Sequence, residues 1–134
     1  DGAAVFMTVN SFASVSLEPA LVSWSIERKA STFPAFMTSE GYSINVLKAE
    51  QQGLSERFAQ HAPAPLSPLE YESWVTGAPV LKDCLAAFDC RIMHRHAAGD
   101  HVMLVAEVVR FSFSPGRPLL YFASQYAIGP EAEQ

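Results

Sequence analysis

No stretch of the chain approaches the roughly 20 apolar residues that a membrane helix needs, and the start shows no basic-then-apolar leader. A soluble, cytoplasmic protein with no membrane partner is expected. Cations are scarce. Nine Lys and Arg against 14 Asp and Glu leave a net charge of −5, which removes the counterion-release attraction behind nucleic-acid binding. No DNA or RNA partner is expected. Cysteine is scarcer still: Cys84 and Cys90 are the only two, and their spacing suits neither a zinc knuckle nor a thioredoxin-like pair. Both read as buried thiols, since two residues six apart on one strand lie roughly 20 Å from each other, beyond disulfide reach. Internal repeats, a glycine-rich phosphate loop, a Ser-His-Asp signature and paired carboxylates are all missing from the pattern.

What is present is apolar. In 134 residues, 49% are hydrophobic and 17% charged, enough for one domain over 1–134 that buries roughly two thirds of its unfolded surface. Strand-type patterning dominates, with short helices between. Asp1-Gly2 reads as a hairpin turn feeding a strand over 5–11, and a second strand fits 21–26. Ser31-Thr32-Phe33-Pro34 reads as a helix start with hydroxyls at the cap and proline in the first turn, stopped by Gly41. A strand over 42–47 and a helix over 51–60, pinned by Leu54 and Phe58, come next. Residues 61–79, with four prolines, Trp74 and Tyr71, read as an irregular lid or interface loop. Two long strands over 85–96 and 101–113 flank Ala97-Ala98-Gly99-Asp100, and a last strand covers 119–123. In the second long strand Val102, Leu104, Ala106 and Val108 alternate with Met103, Val105, Val109, Phe111 and Phe113. Both faces are therefore apolar, which implies a covering layer or a partner subunit.

Three clusters could carry chemistry. Glu27-Arg28-Lys29-Ala30-Ser31-Thr32-Phe33-Pro34 places two cations before two hydroxyls at a helix start, a pattern that suits phosphate; an ordinary capped helix beside a solvated charge pair is the alternative. Thr8-Val9-Asn10-Ser11-Phe12-Ala13-Ser14-Val15-Ser16 offers donors and acceptors for the polar edge of a flavin or nucleobase, although such residues are also common turn formers. His94, His96 and His101, with Glu107 beyond, have His-x-His metal spacing, against the plainer reading of polar residues around a turn with Arg91 and Arg95 nearby.

Several of these segments resemble the flavin reductase-like proteins with an FMN-binding split barrel, the reductase components of two-component monooxygenases. The resemblance rests on residues 7–19 (MTVNSFASVSLEP), Ser31-Thr32, residues 41–47 (GYSINVL) and residues 54–59 (LSERFA). It continues through residues 77–81 (GAPVL), Gly99-Asp100-His101, residues 118–122 (PLLYF) and Tyr126. It implies a mainly β, antiparallel split barrel with short flanking helices, forming a homodimer, with the family's N-terminal helix and first strand lacking a counterpart here. It also implies an NAD(P)H:flavin oxidoreductase that passes hydride from NADH or NADPH to FMN or FAD and supplies an oxygenase by diffusing reduced flavin. A flavin-binding electron carrier on the same barrel is the alternative. By position, Thr8, Asn10 and Ser11 would contact the isoalloxazine and ribityl chain. Ser25 with Arg28, Lys29, Ala30, Ser31 and Thr32 would hold the phosphate end, and Ala59 and Gln60 would border the same pocket. His101, as the catalytic candidate, and Tyr126 would lie on the nicotinamide side; no metal is called for.

Overall fold

The computed structural model describes residues 4–9, 11–122 and 124–131. Its centre is an antiparallel five-stranded sheet in the order β1-β2-β7-β6-β3: β1 (Ala13–Leu17), β2 (Ala20–Glu27), β3 (Gly41–Val46), β6 (Ala86–Ala98) and β7 (His101–Phe113). Two hairpins complete the barrel, β4 (Tyr71–Ser73) with β5 (Pro79–Leu81) and β8 (Leu119–Phe122) with β9 (Gln125–Ile128). Helices α1 (Phe33–Thr38) and α2 (Gln52–Phe58) are short. In β2 the buried residues are Val22, Trp24 and Ile26, alternating with serines, the period of two that a strand dictates. These pack with Leu104, Ala106, Cys90 and Tyr42, while α1 lays Phe33, Phe36 and Met37 against them. A second cluster forms around Phe58, Leu66, Val80, Leu81, Cys84 and Ala87.

The long hairpin explains why both faces of its second strand are apolar. Cross-strand partners share a face, so Ile92↔Ala106 and Cys90↔Val108 belong to the first core. The register then slips: Asp89 pairs with Arg110, leaving Val109 unpaired, and Met93 is the extra residue of a second bulge on β6. Phe111 and Phe113, opposite Phe88 and Ala86, therefore share the face of Val108 rather than that of Met103. This corrects simple alternation. Each face is covered mainly at one end. Near the turn, the first face is buried at Val102, Leu104 and Ala106, while on the second Arg91, His94, His96 and Met103 stay exposed around a buried Val105. At the far end the second face is buried at Ala87 and Asp89, whereas Phe111 and Phe113 on the first are 59% and 54% exposed.

Other expectations need amending. Residues 4–9 form no strand: Thr8 N donates to Phe58 O at 2.9 Å, and Met7 and Val9 pack on the first core. Ser39, not Gly41, ends α1, with its N–H donating to Ala35 O. Gly41 is needed for close approach, since a Cβ there would meet Cys90 O and the Thr76 side chain at 2.6 Å. Residues 61–79 hold more order than their prolines suggest. Arg57 donates to the carbonyls of Ala64 and Pro65, Leu66 is buried, and β4 and β5 are three-residue strands too short to show a period. The tip between them is tied to β6 by Asp89, fully buried, which accepts from Val75 N at 2.8 Å, Thr76 N at 3.0 Å and Thr76 Oγ1 at 2.6 Å. Ser43 and Asn45 of β3 reach β5 by side chain, Ser43 Oγ donating to Pro79 O and Asn45 Oδ1 accepting from Leu81 N. The turn at Asp1-Gly2 and the position of Asn10 lie outside the described residues. No helix among the described residues is long and apolar enough to cross a membrane.

Candidate functional site

Two cavities share one wall. The smaller, about 230 Å³, is lined among others by Thr8, Glu27, Lys29, Ala30, Ser31, Thr32, Ala59 and Gln60. Seven of those eight are residues that the sequence assigned to the cofactor. They converge because β2 ends at Glu27, the turn after it carries Lys29, Ser31 and Thr32, and the end of α2 brings Ala59 and Gln60 across. The larger cavity, about 1110 Å³, runs past the β3 edge and includes Ser55, Tyr121 and Tyr126. Phe6, Met7, Thr8, Phe58 and Ala59 line both.

The donor inventory decides what the smaller cavity can hold. Thr32 Oγ1 donates to Met7 Sδ at 3.0 Å and Thr8 Oγ1 donates to Ser55 O at 2.6 Å, so both hydroxyls are already engaged within the protein. Ser31 Oγ accepts from Ala62 N at 3.4 Å, which leaves its own proton available. Lys29 is exposed and forms no ion pair among the described residues; its ammonium and the Ser31 hydroxyl suit an anionic ligand beside the single carboxylate of Glu27. The helix start contributes less than its sequence implied. Thr32 makes no side-chain cap bond, and the N–H groups of Phe33, Ala35 and Phe36 already donate to Ala30 O and Thr32 O in a helix of six residues. What an anion would meet in this cavity is charge and hydroxyl, not a helix dipole.

The remaining candidates sit elsewhere. Arg28 Nε donates to Gly99 O at 3.0 Å and its backbone N–H to Asp100 O, which places it at the long hairpin's turn rather than in the small cavity. His101 faces Asp100 there, Nδ1 to Oδ1 at 2.7 Å, and this contact holds the Asp100 carboxyl below its usual range. Ser11 Oγ accepts from Ser25 N at 3.1 Å, fixing those two to each other. Tyr126 in the larger cavity lies 3.0 Å from Ser55 Oγ. Sequence reasoning missed Ser55, whose signal was a hydroxyl three residues before Phe58 on the buried helix face, and it gave Glu27, the first residue of the candidate anion segment, no role of its own. His94 and His96 stack with ring centroids 5.6 Å apart on the exposed sheet face, and no group of three metal-ligating side chains occurs among the described residues.

This architecture is an antiparallel split barrel, the fold of solved flavin reductases. The chain belongs to the flavin reductase-like domain family, whose sequence profile matches residues 1–130. It is 45% identical over 115 residues to the FMN reductase (NADH) SmoA of Agrobacterium fabrum, covering 86% of this chain and 66% of that protein. It is 33% identical over 127 residues to the flavin-dependent monooxygenase reductase subunit HsaB of Rhodococcus jostii, covering 94% and 65%. The chain thus spans about two thirds of the length of these relatives. Among solved structures, flavin reductase PheA2 matches with a TM-score of 0.80 and 35% identity over 96% of this chain and 80% of its own. The NADH:FAD oxidoreductase SgcE6 of Streptomyces globisporus, in complex with NAD and FAD fragments, matches at 0.82 and 28%, covering 90% and 74%.

Proposed function

We propose that this protein is an NADH-dependent flavin reductase that hands reduced flavin to an oxygenase partner. The observation that carries the reading is the smaller cavity, where Lys29 and Ser31 converge with Thr8, Ala59 and Gln60. These residues fit the phosphate end and polar chain of a flavin, which supplies the hydride-accepting ring. Lys29 offers charge and Ser31 a hydroxyl donor, while Thr8, tethered through both its N–H and its hydroxyl, offers a fixed wall rather than a free donor. The protein's contribution to hydride transfer is orientation and exclusion of water; no nucleophile is required. His101, held by Asp100 beside the turn, is assigned to the nicotinamide side.

A homodimer completes the reading, supported by the exposed Phe111 and Phe113 at one end of the long hairpin and by Met103 at the other. A cytoplasmic setting fits two thiols that are buried and unpaired. The oxygenase partner follows from relatives named as reductase components, such as that of the trigonelline monooxygenase of Acinetobacter baylyi. The test is an anaerobic assay of the purified protein with NADH or NADPH and with FMN or FAD in turn, following flavin bleaching. Rapid bleaching with one pair supports the reductase and selects both co-substrates. Tight flavin binding without bleaching would overturn it in favour of a flavin carrier.

A further inference from the structure

Ser55 is a serine where packing asks for an apolar side chain. It shares the inward face of α2 with Phe58 and is 6% exposed. A buried hydroxyl is costly unless bonded, and a helical serine ordinarily turns back to the carbonyl of the preceding turn. Here it reaches instead to Tyr126 Oη at 3.0 Å, on β9, the last strand among the described residues. The Ser55 carbonyl accepts from Thr8 Oγ1 at 2.6 Å and from Ala59 N at 3.2 Å, using both its lone pairs. One residue thereby joins the N-terminal segment, the helix and the β8–β9 hairpin.

The junction's location gives it a role. Thr8 lies on the wall shared by the two cavities, whereas Ser55 and Tyr126 line only the larger. We propose that Ser55 is a positioning residue for the reductase reaction: it fixes Tyr126 relative to Thr8 and so sets how a ring in the larger cavity seats against one anchored from the smaller. This rests on the reductase reading above. Tyr121 packs edge-on to Tyr126 at 5.1 Å and steadies the phenol ring, but among the described bonds only Ser55 holds the phenol oxygen. Hydride transfer needs reacting atoms roughly 3–3.5 Å apart, and a misplacement of about 1 Å costs on the order of 100-fold, so a loosened ring is felt in rate before it is felt in folding.

The experiment compares wild type, Ser55→Ala, Tyr126→Phe and the double variant, with kcat/KM for NADH, Kd for oxidised flavin and Tm measured on each. Each single change is expected to lower kcat/KM about tenfold with flavin Kd within about twofold and Tm nearly unchanged. The double variant is expected to be no worse than the poorer single, because both remove the same bond. An unchanged kcat/KM, a flavin Kd that weakens in parallel, or losses that multiply in the double variant would each overturn the role of Ser55. A wild type that binds flavin but never oxidises NADH overturns the reductase reading, and the proposal with it, an outcome distinct from active wild type with indifferent variants.

Discussion

The two ends of the β6–β7 hairpin are mirror cases of the same construction. Near the turn the sheet is closed on the face of Leu104 and open on that of His94, His96 and Met103. At the far end of the same two strands, it is closed on the face of Asp89 and open on that of Phe111 and Phe113. Closed halves make the chain fold. Open halves are what a ligand or a second subunit can use, and their chemistry differs, imidazole and thioether at one end and phenylalanine at the other. An apolar residue in these strands therefore has no fixed meaning until the bulges at Met93 and Val109 say which face it occupies.

The comparison can be broken most sharply on the closed side. Leu104→Ala, at a fully buried site, is expected to remove about 3–4 kcal/mol of stability in chemical denaturation; a loss below about 1 would mean that the first core is not closed there. Asp89→Ala comes next. It strands two backbone N–H groups and the Thr76 hydroxyl, for an expected loss of about 2–3 kcal/mol, and faster hydrogen exchange at Val75 and Thr76 would locate the damage at the β4–β5 tip.

On the open side the effects should move from stability to function. His101→Ala is expected to cost about tenfold, ~1.4 kcal/mol, in kcat/KM for the nicotinamide while flavin binding survives; unchanged kinetics would remove His101 from the site. Phe111→Glu should alter monomer stability by no more than about 0.5 kcal/mol yet shift a dimer toward monomer in sedimentation velocity. A dimer indifferent to it would place the interface elsewhere. The smallest effect is electrostatic. Because the Asp100 carboxyl is held below the ordinary aspartate range by the hydrogen bond to His101, its contribution is present above that range and fades as pH falls through the lower folded one. His101→Ala should let the Asp100 titration rise back toward the ordinary range in an NMR titration.

Much of this was legible in the residues. Ser-Trp-Ser-Ile in β2, Gly-Tyr-Ser-Ile-Asn in β3 and the two long strands announce themselves by alternation, and seven cofactor candidates do converge on one cavity. What stayed hidden depends on geometry that spacing does not encode. Residues 4–9 carry strand-like composition but dock on α2 through Thr8. The β8–β9 turn at Ser124, with φ 62, has no glycine or Asn-Gly to signal it. Arg28 and Lys29 are adjacent in sequence yet serve different places, one at the hairpin turn and one in the cavity. Ser55 shows its importance only when Thr8 and Tyr126, 118 residues apart by the difference of their numbers, are seen to meet through it.

Burial lifts both thiols above their ordinary range, Cys84 with help from the nearby Asp83 charge and Cys90, beside Asp89, to about 12. At neutral pH almost none of either is thiolate, the form that attacks electrophiles. For maleimide chemistry the chain is thus a blank slate. A single cysteine placed at exposed Met93, on the bulge of β6, becomes the one reactive sulfur and accepts a spin or fluorescent probe without prior removal of native residues.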